Sequence, residues 1–260
     1  FSITLDPAKG IIASLVDKRT GREWVDINAG EGLGQYLNER FTFEQTLDYT
    51  MTYQQVRAKD WPHPGMHKPG MISEKEVPYR AASPRNGDLK ISGDGLVQTA
   101  DFSIPADSSN HLTASKLRVS FYKNQSSVAM DITVPAKAKD NWPEADWLCL
   151  PFKIEYPEFN VYRQLGVMNP TTDIQPGANR HLYAAEYGVT ITGTDGAGIA
   201  VCPLEHPLVS LGMPGCWKYS EDYIPEKPVV YLNLYNNQWN TNFRYWYPGT
   251  WSYRVRIWTI

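Results

Sequence analysis

Ser2-Ile3-Thr4-Leu5-Asp6 alternates polar and apolar positions and runs into Pro7-Ala8-Lys9-Gly10, a turn. Ile11–Val16 reads as a second strand, and Lys18-Arg19-Thr20-Gly21-Arg22 turns the chain again before Trp24-Val25. Period-two runs joined by a short Gly-containing turn predict a β-hairpin. From residue 89 onward the pattern repeats. Strands are expected at Leu96–Ile104, Leu112–Lys123, Ser127–Val134, Trp147–Ile154, Val189–Thr192, Ile199–Cys202, Val229–Leu234 and Tyr253–Ile260, with Gly, Pro, Asn and Asp between them. Strands in this rhythm, without intervening helical patterns, predict a mostly-β protein built as a large antiparallel β-sandwich. One segment departs from it. Phe43, Leu47 and Met51 recur at four-residue spacing and predict a helix over 41–57, with Thr42 as N-cap. Residues 58–88 hold Pro62, Pro64, Gly65, Pro69, Gly70, Pro78, Pro84 and Gly87. That composition predicts a long irregular excursion, a kind of loop that often carries function. Gly30, Gly32 and Gly34 lack the strand-to-helix context of a phosphate cradle and read as a loop.

The chain has 260 residues and no fixed-period repeat or linker, so residues 1–260 are expected to form a single unit. A chain of this length can bury a core without staples. A formal net charge of -3 gives no basic field for nucleic acid or an anionic membrane. No run of about 18 apolar residues occurs, so no helical membrane span is expected. Cys149, Cys202 and Cys216 fit no metal spacing. Cys202 and Cys216 could bridge across a hairpin, which would leave one thiol over. No signal peptide is visible, and the first residue is Phe1, so the chain reads as processed, trimmed or a fragment.

Aromatic content changes the picture most: 9 Trp and 16 Tyr stand against 8 Phe. Tyr and Trp combine a flat apolar face with a polar edge, which suits sugar rings. They are densest in Asn233-Leu234-Tyr235-Asn236-Asn237-Gln238-Trp239-Asn240-Thr241-Asn242-Phe243-Arg244-Tyr245-Trp246. There Asn236, Asn237 and Asn242 offer paired donors and acceptors for hydroxyls, and Trp239 and Trp246 offer stacking faces. Core packing accounts for Phe243 and Trp251. Asn179, Arg180 and His181, in a loop before Leu182, are further hydroxyl partners, although turn chemistry explains much of that loop. Trp61 and His63 could form a rim closing over a ligand. His63 and His67 stand four apart, but Pro62, Pro64 and Gly65 forbid the helix that would put them on one face, and no third metal ligand accompanies them. Glu31, Glu39, Asp140, Glu144, Asp146, Glu205, Glu221 and Asp222 are available carboxylates, yet none sits in a sequence context that singles out an acid–base pair. No Ser lies in a GxSxG elbow.

The opening, Ile3-Thr4-Leu5-Asp6 followed by Gly10-Ile11-Ile12-Ala13-Ser14-Leu15-Val16-Asp17-Lys18-Arg19-Thr20-Gly21-Arg22-Glu23, resembles the start of the C-terminal β domain of family 38 glycoside hydrolases, the α-mannosidases. Gly32–Phe41, Pro207–Gly212 and Asn236–Phe243 are similar to a bacterial relative of those enzymes, a domain of unknown function. The resemblance implies a galactose-mutarotase-like supersandwich. It also implies a periplasmic or secreted carbohydrate-associated protein whose β domain packs on a catalytic domain. In that family the nucleophilic Asp and the zinc ligands lie in an N-terminal α/β domain, which no part of this chain resembles. No cofactor is therefore expected in this chain, and a divalent metal belongs to the absent catalytic domain of the parent. Three rivals stand beside this reading. One is a free-standing carbohydrate-binding protein. Another is a mutarotase-like sugar epimerase recruiting His111, His181 and Glu205. The last is a purely structural domain with its aromatics in the core.

Overall fold

The computed structural model describes residues 1–53, 78–140, 142–238 and 247–260. A hairpin of β1 (Ser2–Asp6) and β2 (Ile11–Val16) opens the chain. β3 (Gln35–Arg40) leads into α1 (Phe43–Tyr53). Then come β4 (Arg80–Ala82), β5 (Asp88–Gly93), β6 (Val97–Ile104), β7 (Ser115–Tyr122), β8 (Ser127–Lys137), β9 (Glu144–Pro151), β10 (Glu158–Arg163) and β11 (Gly166–Met168). β12 (Tyr183–Ala184), β13 (Gly188–Thr192), β14 (Gly198–Pro203), β15 (Leu208–Leu211), β16 (Val229–Asn236) and β17 (Gly249–Thr259) complete it. Beside the two-stranded β1-β2 sheet stand two large antiparallel sheets: nine strands in the order β11-β10-β13-β14-β17-β8-β7-β6-β5, and six in the order β12-β15-β16-β9-β3-β4.

The main core lies between these sheets. Val119, Met130, Ile132, Val255 and Ile257 of the larger sheet meet Tyr36, Leu148, Leu150, Val230 and Leu232 of the smaller. The larger sheet turns its other face to water. There Arg118 pairs with Asp101 across β7 and β6, and Thr133 and Ser252 share a hydrogen bond of 2.9 Å across β8 and β17. Its strands therefore alternate cleanly, as half-buried strands should. The smaller sheet is buried on both faces. Leu37, Ala145, Trp147, Cys149, Val229 and Tyr231 point away from the main core and pack with Phe41, Tyr49 and Trp217 in a second cluster.

The β-sandwich expectation holds, and the eight expected strands from residue 89 onward are all present with shifted ends. β3 is an element the hydrophobic pattern missed. All six of its residues are buried, but four of them are Gln35, Asn38, Glu39 and Arg40, so no apolar run marks it. β4 lies inside the excursion expected to be irregular. The helix is capped as expected: the Thr42 hydroxyl accepts from Gln45 N–H at 3.1 Å, and the Gln45 side chain accepts from Thr42 N–H at 2.9 Å. Its inward face differs from the expected one. Thr46, Tyr49 and Thr50 are buried, whereas Phe43, Leu47 and Met51 are half-buried. Tyr49 takes the inward position because its ring packs edge-on against Trp217 at 5.6 Å. All three cysteines are free, so Cys202 and Cys216 are not bridged.

Candidate functional site

The outer face of the six-stranded sheet carries the most unusual chemistry. On β3, next to the edge strand β4, Glu39 is wholly buried. One carboxylate oxygen accepts from the Tyr79 hydroxyl at 2.5 Å, the other from Trp147 Nε1 at 2.7 Å. Both donors are neutral, and no basic side chain pairs with the carboxylate among the described residues. Burial raises the Glu39 carboxyl above its ordinary value, against the opposing pull of Lys218 and the two hydrogen bonds. Beside it the Tyr231 hydroxyl donates to Glu31 at 3.1 Å, and its ring stands edge-on to Trp147 at 6.2 Å.

Aromatic rings wall this site. Phe41 lies 5.7 Å from Tyr79 and 6.2 Å from Trp217, and Tyr49 stacks on Tyr53 at 5.7 Å. Tyr53 is 51% exposed and Tyr79 41%, so these two rings form its solvent rim. Gln238 ties the wall to the sheet: its amide nitrogen donates to the Tyr49 hydroxyl at 2.7 Å, and its carbonyl accepts from Trp217 N–H at 2.6 Å. Aromatic walls around a few fixed polar groups are the usual make-up of a small-ligand or glycan site.

At one end of the sandwich a second polar cluster bridges the two sheets. Lys137, the last residue of β8, places Nζ 2.7 Å from Glu144 and 3.8 Å from Asp146 on β9. Asn38 donates to Asp146 at 2.6 Å and to Glu144 at 3.3 Å, and Arg80 donates to the Asn38 carbonyl. Arg40 pairs with Asp140 and lies over the Trp142 ring at 5.5 Å. Desolvation pushes the Glu144 carboxyl up to about 7, while the two carboxylates raise the Lys137 ammonium against its own desolvation. Lys137, Glu144, Asp146 and Asn38 are buried and pair with one another, so this cluster serves architecture.

Of the residues expected to bind carbohydrate, Trp61, His63, Trp239, Asn242 and Trp246 lie outside the described residues, as does His67. Of the others, Asn179, Arg180, Asn236 and Asn237 are engaged within the chain, while His181 Nδ1 is buried with no hydrogen-bond partner among the described residues. Asn179 donates to Lys218 O at 2.9 Å and accepts from Ser220 N–H at 3.2 Å. Arg180 reaches Pro170 O and Thr171 O, both at 3.4 Å. Asn236 donates to Asn233 at 2.7 Å and accepts from Gln238 N–H at 3.2 Å. Asn237 is buried, accepting from Glu144 N–H at 2.9 Å and donating to Trp142 O at 2.6 Å. Removing it orphans the buried Glu144 N–H and leaves the half-buried Trp142 carbonyl without this donor, so Asn237→Leu should cost about 1–3 kcal/mol in urea unfolding.

His181 is buried and stacks on Tyr223 at 4.6 Å. Burial, helped by Lys218, lowers its pKa from 6.5 to about 4. A depressed histidine favours the neutral ring, so its contribution to stability is present above pH 6.5 and lost as pH falls through about 4. Stability of His181→Phe, followed by thermal melts over that interval, should depend on pH less steeply by up to about one proton. The other two members of the epimerase trio are engaged elsewhere. Glu205 accepts from the Arg254 backbone at 2.8 Å and pairs with its guanidinium, and His111 closes the 3-10 turn Ser108–Asn110.

Among the described residues no cluster of three or more His, Cys, Asp or Glu is arranged to hold a metal ion. A wide cleft of 760 Å³ lies between the β1–β2 hairpin and the turns around Leu96 and Asn124. Its buried carboxylate, Asp17, is occupied by the Arg19 N–H at 2.8 Å and the Arg19 guanidinium at 3.6 Å. The groups that sequence reasoning passed over are Tyr49, Tyr79, Trp147, Trp217, Tyr231 and Gln238. Glu39 itself stood undistinguished among eight carboxylates. Its flanks, Tyr36-Leu37 and Phe41, were the available signal, and they mean burial only once β3 is read as a strand.

Two packed antiparallel sheets, the smaller covered on its outer face, make a large antiparallel β-sandwich. The chain resembles part of an α-mannosidase from Enterococcus faecalis V583, with TM-score 0.60 and 9% identity over 99% of this chain and 28% of that one. A glycosyl hydrolase family 38 protein from Enterococcus faecalis gives TM-score 0.58 at 8% identity, over 99% and 29%. A galactose mutarotase-like protein from Lactobacillus casei ATCC 334 gives 0.50 at 8% identity, over 99% and 96%. The chain thus spans less than a third of the two enterococcal proteins, and at these identities the likeness is one of fold. No protein-family model and no curated sequence matches it.

Proposed function

We propose that this chain is the carbohydrate-associated β domain of a glycoside-hydrolase-like protein, acting in the periplasm or outside the cell. It packs on a catalytic domain of its own parent chain, which carries the nucleophile and a divalent metal, and it lends glycan contacts. The observation that carries this reading is the superposition of 99% of the chain on 28% of an α-mannosidase. The outer face of the six-stranded sheet supports it, because the Tyr53 and Tyr79 rings stand at the rim above a buried carboxylate. Solvated ion pairs on the nine-stranded sheet make that face a poor glycan platform.

Calorimetric titration against a panel of mannose-, galactose- and glucose-based oligosaccharides tests the glycan contact. Binding that Tyr53→Ala weakens by roughly tenfold supports it, since a stacked ring contributes on the order of 1 kcal/mol or more. Silence across the whole panel removes it. The gene upstream of Phe1 tests the rest: a reading frame without an α/β segment bearing His and Asp ligands removes the catalytic partner. A second reading, a free-standing sugar epimerase, draws on the 96% coverage of the Lactobacillus protein. Turnover of aldose anomers by the isolated chain distinguishes it.

A further inference from the structure

The two ends of the nine-stranded sheet are guarded differently. Among the described residues its end strands are β5 and β11. β5 carries Asp88 and Lys90, charges that keep an open edge from pairing. β11 is Gly166-Val167-Met168 and carries none. Its backbone is open as well. The Tyr162 carbonyl accepts from Tyr187 N–H at 3.1 Å, just before β13, and so points away from β11. Tyr162 and Val167 stand opposite each other, and in an antiparallel ladder such a pair turns its polar groups outward on both strands. The Val167 N–H and carbonyl therefore face the open edge. We propose that this edge joins a second copy of the chain, β11 against β11, about a two-fold axis at Val167.

The side chains around this edge are apolar and exposed. Leu165, at the tip of the β10–β11 hairpin, is 99% exposed. Phe159 and Val161 alternate inward to the core, so Tyr162 and its cross-strand neighbour Val167 share the outer face, with Tyr187 exposed alongside. Elsewhere that face carries ion pairs and hydroxyls. Apolar groups gathered at one edge of a polar face mark an interface. Charge identifies the partner. Arg163 and Glu186 line one groove of about 380 Å³ together with Leu165, Val167 and Met168. Arg118, Arg254 and Arg256 on the same sheet each pair with a carboxylate, whereas Arg163 and Glu186 form no ion pair among the described residues. A patch with one unpaired charge of each sign complements itself under a two-fold rotation, which sets Arg163 of each copy against Glu186 of the other. The same rotation lets the two Val167 residues exchange a pair of N–H to carbonyl bonds, joining the two nine-stranded sheets edge to edge.

Sedimentation velocity of the 260-residue chain over a wide concentration range tests this. The chain should pass from monomer to dimer as concentration rises. Val167→Pro removes the outward N–H while leaving the ladder to β10 its bonds, and should abolish the dimer. Arg163→Glu and Glu186→Arg should each weaken it roughly tenfold, because each sets two like-charged pairs across the axis. The double variant Arg163→Glu/Glu186→Arg should restore it, an outcome that damage to the fold would not give. Circular dichroism and thermal melts confirm that every variant is folded. A monomer at all concentrations overturns the proposal. So does a dimer that all three single substitutions leave unchanged, which places the interface elsewhere. Charge reversals whose losses add instead of cancelling in the double variant overturn it too.

Discussion

Replacing Lys137 with Met should lower the unfolding free energy at neutral pH by about 3–5 kcal/mol, the usual cost of stripping one partner from a buried ion network. Lys137 sits between Glu144 and Asp146, and all three are buried. Without the ammonium two carboxylates share a dry site with Asn38 as their direct donor. The pH dependence gives a second readout. In the native chain the Lys137 pKa is raised above 10.5, so its contribution is complete below that pH and is lost only in strong alkali. Glu144 already stands at about 7 against an ordinary 4.5, and loss of the cation raises it further. The folded variant then holds a proton that the unfolded chain releases. The gap to the native chain should narrow as pH falls from the mildly alkaline range to about 7, where the variant alone holds that proton; below about 7 both chains take it up and gain alike. Urea unfolding at both ends of that interval checks this. A loss below about 1 kcal/mol, within the range of an exposed pair, would contradict the assignment.

Glu39→Gln should act in the opposite direction, stabilising the fold by about 1 kcal/mol or more once pH exceeds the raised pKa of the Glu39 carboxyl. Glutamine has nearly the same shape. Its carbonyl can keep the Trp147 Nε1–H bond, and its NH₂ can donate to the Tyr79 oxygen, because a hydroxyl turns from donor to acceptor. The carboxyl of Glu39 is raised by burial. A raised acid contributes stability below its unfolded pKa and loses it as pH rises through the folded value, so the gain from glutamine should grow with pH. Denaturant midpoints for both proteins across the neutral range measure it. A variant clearly less stable than the native chain would show that the ionised carboxylate is structural.

How far the sequence could be read follows from which faces of each sheet meet water. β6, β7, β8 and β17 keep one face wet, so their alternation survives and the sandwich is visible from it. β3 and β9 are buried on both faces, and their polar members are satisfied by partners far along the chain. Asn38 meets Asp146 from 108 residues away, and Glu39 meets Trp147 over the same separation. No local pattern encodes such pairings, so Glu39 could not be told from seven other carboxylates. The described start of the Asn-rich segment, Asn236 and Asn237, is hard to read locally for a related reason. Asn236 and Asn237 look like spare hydrogen-bonding groups, but their neighbours in space, Asn233, Glu144 and Trp142, occupy them.

The place of β17 sets a condition on how the protein is made. This strand lies in the middle of the nine-stranded sheet, between β14 and β8, and is the sole link between β11-β10-β13-β14 on one side and β8-β7-β6-β5 on the other. A ribosome therefore delivers two four-stranded flaps, each with a bare inner edge, well before it delivers the strand that joins them. Until residue 259 has emerged, those edges can pair with each other wrongly or with a neighbouring chain. A premature stop that removes only β17, a small fraction of the length, should leave a product that aggregates or is degraded instead of a slightly shortened domain.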